Sequence, residues 1–96
     1  MNIFRSRPKK SRLHHIVLFG KDGCHLCEEA RELLIELERS YRFMLEEVDI
    51  QSDPVLFRRY DVRIPVLLID RSLEVDAPVT REKVESALRK SPGIES

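Results

Sequence analysis

Cys24 and Cys27 are the only cysteines of a 96-residue chain, and His25 and Leu26 separate them. In the first turn of a helix, residues three apart share a face, with Cβ atoms about 5 to 6 Å apart and within reach of disulfide geometry. Such a pair can cycle between dithiol and disulfide. A bridge across so short a loop constrains the unfolded chain little, so a structural staple is a poor reason for it. Cys24 falls where unpaired N–H groups and the positive end of the helix dipole stabilise a thiolate, the form that attacks. Cys27, one turn deeper and beside the apolar face, would be the shielded, resolving thiol. Metal binding is the competing reading of this spacing. A structural zinc site wants four ligands, and no second cysteine pair exists; a c-type haem site needs His directly after the second cysteine, where Glu28 stands.

The elements that must position the dithiol follow from the apolar pattern. Residues 14–19, closed by Gly20, read as a buried strand, with His14 and His15 straddling its start. Leu26, Ala30, Leu33, Leu34 and Leu37 recur at helical spacing, so residues 24–39 are expected to form a helix with Glu28, Glu29 and Glu32 at its start. Residues 43–50 alternate as a half-buried strand. Ser52 or Asp53 then caps a short helix with Pro54 in its first turn and Val55, Leu56, Phe57 and Tyr60 as core candidates. Residues 64–69 read as an apolar strand opening on Pro65, residues 70–72 as a turn, and residues 73–75 as a short antiparallel return. A last helix buries Val84, Ala87 and Leu88 and stops at Ser91, Pro92 and Gly93. The order is βαβαββα, an α/β fold with a four-stranded mixed sheet and helices on both faces.

Composition bounds the rest. At this length one core is expected, built from Leu, Ile and Val because only 6% of residues are aromatic and none is Trp. Seventeen basic and seventeen acidic side chains cancel, which argues against a nucleic-acid binder. The charge is segregated: Arg5, Arg7, Lys9, Lys10 and Arg12 make residues 1–12 a basic arm, read as flexible, before a domain over residues 13–90 and a disordered tail over residues 91–96. A presequence or an anionic contact is the other reading of the arm. No apolar run approaches the roughly 18 to 20 residues that cross a bilayer, so a cytoplasmic monomer away from membranes is expected.

The first strand, the loop Lys21-Asp22-Gly23, the helix-opening Cys24-His25-Leu26-Cys27 and the segment Val62-Arg63-Ile64-Pro65 together resemble the thioredoxin fold in its glutaredoxin-like branch, over residues 13 to 90. Thioredoxins carry Trp before the first cysteine and a buried Asp six residues before it, where this chain has Gly23 and Leu18. The resemblance implies a thiol-disulfide oxidoreductase acting on protein or glutathione mixed disulfides. It implies a cis bond before Pro65, a substrate-docking backbone at Ile64, and a glutathione-holding role for Lys21. His25 would tune the potential, and Arg63 would rim the groove with Arg58 and Arg59. No organic cofactor is expected to be tightly bound; glutathione is a candidate co-substrate, and glutathione or a thioredoxin system is the candidate electron donor. Glutaredoxins grip glutathione with a Gly-Gly-x-x-Asp-type loop after the hairpin, and here Asp76-Ala77-Pro78-Val79-Thr80 stands in its place. The alternatives are a binding module that keeps the fold without turnover, and an iron-sulfur carrier.

Overall fold

The computed structural model describes residues 12–94. Strand β1, Leu13–Gly20, leads through a turn into helix α1, His25–Leu37, and the chain returns as β2, Arg42–Asp49, parallel to β1. A 3-10 turn, Ile50–Ser52, precedes α2, Pro54–Tyr60, which Asp53 caps by accepting the Val55 N–H. Strand β3, Val66–Ile69, runs antiparallel to β1, and β4, Leu73–Val75, antiparallel to β3. Helix α3, Arg81–Lys90, is capped by Thr80, whose hydroxyl accepts the Lys83 N–H. The sheet order is β2-β1-β3-β4, so the expected βαβαββα architecture with a mixed four-stranded sheet is the one observed.

Strand alternation sorts the core onto two faces. Ile16, Leu18, Leu67 and Ile69 meet Ala30, Leu34 and Leu37 of α1 and Val84, Ala87 and Leu88 of α3. Val17, Phe19 and Val66 turn the other way, onto Ile50 and Tyr60, with Leu56, Ile64 and Leu68 packed beside them. Phe19 and Tyr60 stack with ring centroids 4.3 Å apart. α1 and α3 therefore cover one face and α2 the other. Because β1 is central, the end of β1 carries the loop to α1 into the middle of the molecule, not to an edge.

Three expectations need correction. α2 is only two turns long and touches the sheet through Leu56 and Tyr60, which leaves Val55 61% exposed and Phe57 at the surface. β3 begins at Val66, two residues later than the apolar run suggested, with Ile64 and Pro65 lying ahead of the ladder. The chain also stays packed beyond residue 90. Ser91 is buried and donates its hydroxyl to Asp70 Oδ2, Arg12 Nη1 donates to the Ser91 carbonyl at 2.7 Å, and the Ile94 N–H donates to the Leu13 carbonyl at 2.9 Å. Residues 1–11 of the basic arm, and residues 95 and 96, lie outside the described residues.

Candidate active site

Gly20 ends β1, and the chain turns through Lys21, Asp22 and Gly23, with the Cys24 N–H donating to the Lys21 carbonyl at 3.3 Å. Gly23 has φ +76°, a conformation that disfavours a side chain. Cys24 follows as the cap of α1, not its first residue. Its extended backbone (φ −93°, ψ 103°) aims the sulfur back at the helix, where it accepts the Cys27 N–H at 3.2 Å. A sulfur thus occupies the position usually held by the oxygen of a capping Ser or Asp.

Cys24 and Cys27 are joined by a disulfide, with Cα atoms 5.2 Å apart. Cys24 is half-buried, whereas Cys27 is only 7% exposed. Cys27 fits because Gly20 leaves room: a Cβ on that residue would sit 3.0 Å from Cys27 Sγ. The Ile64-Pro65 peptide is cis, as the resemblance implied, and Pro65 is buried. The antiparallel pairing of Phe19 with Val66, continued by one residue, sets Pro65 level with Gly20 at the same end of the sheet as the disulfide.

The charged candidates divide. Lys21 Nζ lies 4.0 Å from Asp61 Oδ1, which ties the loop before Cys24 to the segment entering the cis proline. His25 is 83% exposed and its Nε2 lies 3.1 Å from Glu29 Oε2, one helical turn away. Arg63 is engaged along the surface: Nη2 donates to Glu74 Oε1 at 2.6 Å and Asp76 Oδ1 at 2.7 Å, and the guanidinium lies 5.2 Å from the centre of the Tyr60 ring. Arg59 reaches the other Glu74 oxygen at 3.6 Å. The hydrogen bond from Arg63 holds the Glu74 carboxyl below its ordinary value, against burial. Where the glutathione loop would stand, Ala77-Pro78 is a second cis peptide.

A groove of about 320 Å³ opens beside Cys27 between the start of α1 and the end of β2. Glu28, Arg31, Glu47 and Asp49 line it, and none of the last three was singled out as a site residue from sequence. Only the pairing of Gly20 with Asp49 in the β1–β2 register brings the end of β2 to the dithiol. Among the described residues, no group of His, Cys, Asp and Glu could hold a metal ion, and no helix is long and apolar enough to cross a membrane.

A central strand that delivers a Cys-x-x-Cys disulfide to a helix cap, beside a buried cis proline, defines a thioredoxin-fold thiol-disulfide oxidoreductase. The family model described as Glutaredoxin-like domain (DUF836) matches residues 15–89, and the chain belongs to that family. The protein is similar to a structural-genomics target protein from X. campestris, at 30% identity and TM-score 0.69, covering 80% of this chain and 99% of that one. It is also similar to a protein from Nitrosomonas europaea, at 28% identity and TM-score 0.71, covering 84% and 98%. A thioredoxin mutant from Halobacterium salinarum, 17% identical, shares the fold at TM-score 0.66 over 86% of this chain and 78% of that one.

Proposed function

We propose that this oxidoreductase reduces protein disulfides by a two-cysteine exchange in which Cys24 attacks and Cys27 resolves. The observation that carries the assignment is the unequal burial of the pair, because only the half-exposed sulfur at the helix cap can meet a substrate in line. In the reduced enzyme the Cys24 thiolate attacks one substrate sulfur. The substrate S–S bond breaks, its other sulfur leaves as a thiolate that takes a proton, and an enzyme-substrate mixed disulfide forms. Cys27, deprotonated, then attacks Cys24. The Cys24–Cys27 bond forms, the second substrate thiol leaves, and two electrons have passed to the substrate. A thiol or dithiol donor must restore the reduced pair.

The remaining site residues take supporting roles in this reading. The Ile64 backbone, ahead of β3, offers an edge to which an extended substrate segment can add as a strand. Lys21 offsets carboxylate charge around the thiolate, and His25 does so more weakly because Glu29 engages it. Arg63, bound to Glu74 and Asp76, is a positioning residue for the docking edge. A catalytic rather than structural use of two cysteines suits a reducing compartment such as the cytoplasm.

The test combines two variants with a donor comparison. Cys24→Ser should abolish reduction of a defined mixed disulfide, and Cys27→Ser should accumulate the enzyme-substrate adduct, visible by mass. Turnover by the wild type with glutathione, or with a thioredoxin system, identifies the donor. Full activity in Cys24→Ser, or silence with both donors by a folded protein, would overturn the assignment, the latter in favour of a binding module.

A further inference from the structure

The groove beside Cys27 carries four carboxylates, Asp22, Glu28, Glu47 and Asp49, against two cations, Lys21 and Arg31. Both cations face acids already: Arg31 Nε donates to Glu47 Oε2 at 3.0 Å, and Lys21 lies 4.0 Å from Asp61. The excess negative charge therefore stays with the groove, and its lining includes Cys27, the buried member of the redox pair. An exposed apolar side chain stands on the same turn of chain: Leu26, between the cysteines, is 57% exposed. A partner segment reaching Cys24 would thus meet apolar surface flanked by carboxylates.

Resting on the dithiol reading above, we propose that this groove selects polypeptide disulfides flanked by Lys or Arg and disfavours anionic ones, oxidised glutathione among them. Complementary charge raises the encounter rate and aligns the substrate, whereas a carboxylate-bearing disulfide is repelled from the same walls. The exchange step itself is unchanged. Cys24 forms the bond to the substrate sulfur, the other substrate sulfur leaves, and the two electrons come from the enzyme dithiol.

The test uses pre-reduced enzyme and three blocked tripeptides, Lys-Cys-Lys, Ser-Cys-Ser and Glu-Cys-Glu, each as its symmetrical disulfide dimer. Single-turnover rates are divided by the rate of dithiothreitol with the same peptide, which removes differences in leaving-group reactivity. The lysine peptide should react about tenfold or more faster than the glutamate peptide at low ionic strength, with the ratio collapsing towards one in high salt. Glu28→Lys and Glu47→Gln, on opposite walls of the groove, should each cut that ratio by roughly threefold. The ratio between peptides cancels any change these substitutions make in the intrinsic reactivity of Cys24. A ratio of one at low salt, or one indifferent to salt and to both variants, overturns the charge selection while exchange with the serine peptide leaves the dithiol reading standing. Exchange with none of the three overturns both.

Discussion

Gly20 and Cys27 share one space: a Cβ on Gly20 would lie 3.0 Å from Cys27 Sγ and 3.1 Å from Cys27 Cβ. The end of the central strand and the buried member of the redox pair are therefore fitted to each other, and both neighbours of the clash are parts of a buried residue with little freedom to move. Gly20→Ala should destabilise the protein by about 1 to 3 kcal/mol, the usual range for overpacking. The cost should shrink in a Cys27→Ala background, which removes the sulfur. A double-mutant cycle from urea unfolding measures that coupling, and strict additivity of the two changes would mean that the contact is absent in solution.

At the opposite end of β1, His14 Nδ1 lies 2.6 Å from Asp70 Oδ2, and the His15 N–H donates to Asp70 Oδ1 at 2.8 Å. Burial alone would raise the Asp70 carboxyl. Hydrogen bonds from Ser91, His14 and the His15 N–H outweigh it and hold the carboxyl below its ordinary value. A carboxyl lowered in the folded state binds fewer protons there than in the unfolded chain. It therefore stabilises the fold above the unfolded value, about 3.9, and that contribution is lost as pH falls through the lower folded value. Urea midpoints measured from pH 6 down to pH 2 should fall more steeply for the wild type than for Asp70→Asn. At pH 7, Asp70→Ala should cost about 1 to 3 kcal/mol, because it leaves the buried His14 ring and Ser91 hydroxyl without their hydrogen-bond partner.

How much of this was legible in the sequence depended on distance along the chain. The dithiol, the helix behind it and the two apolar strands are local patterns, and each is found in its expected place apart from one or two residues at its ends. The buried cluster was invisible because Asp70 and His14 are 56 residues apart, and Asp70 and Ser91 are 21 apart. Asp70 read as a turn residue and Ser91 as a helix stop, and both are those things as well. The cap of α1 was missed by one residue because cysteine is not among the usual capping types, so nothing in the composition marked Cys24 as lying outside the helix. The acidic wall of the groove needed the β1–β2 register, which no single strand reveals.

Arg63 joins three elements, with Glu74 at the centre of β4, Asp76 beyond it and the Tyr60 ring at the end of α2. The Tyr60 hydroxyl donates to the second Glu74 oxygen at 3.1 Å, so one carboxylate is shared by a phenol and the guanidiniums of Arg63 and Arg59. Burial, with the neighbouring Glu74 carboxylate, pushes the Tyr60 hydroxyl above its ordinary value and keeps it a donor. Arg63→Ala should lower the melting temperature, and Arg63→Lys should recover less than half of the loss, because an ammonium cannot serve both acids and the ring with one planar group. A role in gripping substrate instead predicts an unchanged melting temperature with a raised KM for anionic disulfides, so thermal melts and steady-state kinetics on the same two variants separate the roles.

The reactivity of Cys24 is set by two opposed influences. The cap position of α1 and the Cys27 N–H, 3.2 Å from the sulfur, favour the thiolate. Asp22, Glu28 and Glu29 oppose it, and Lys21, engaged with Asp61, offsets only part of their charge. Alkylation rate against pH, measured on Cys27→Ser so that a single thiol reacts, should show a midpoint between about 5 and 7.5, below a free thiol but above the strongest helix-cap thiolates. Glu28→Gln should move the midpoint down and Lys21→Ala should move it up, each by roughly half a unit. A midpoint below about 5 in Cys27→Ser would mean that the helix and its N–H groups override the surrounding carboxylates, and the two charge variants made in that background would then leave it nearly unmoved.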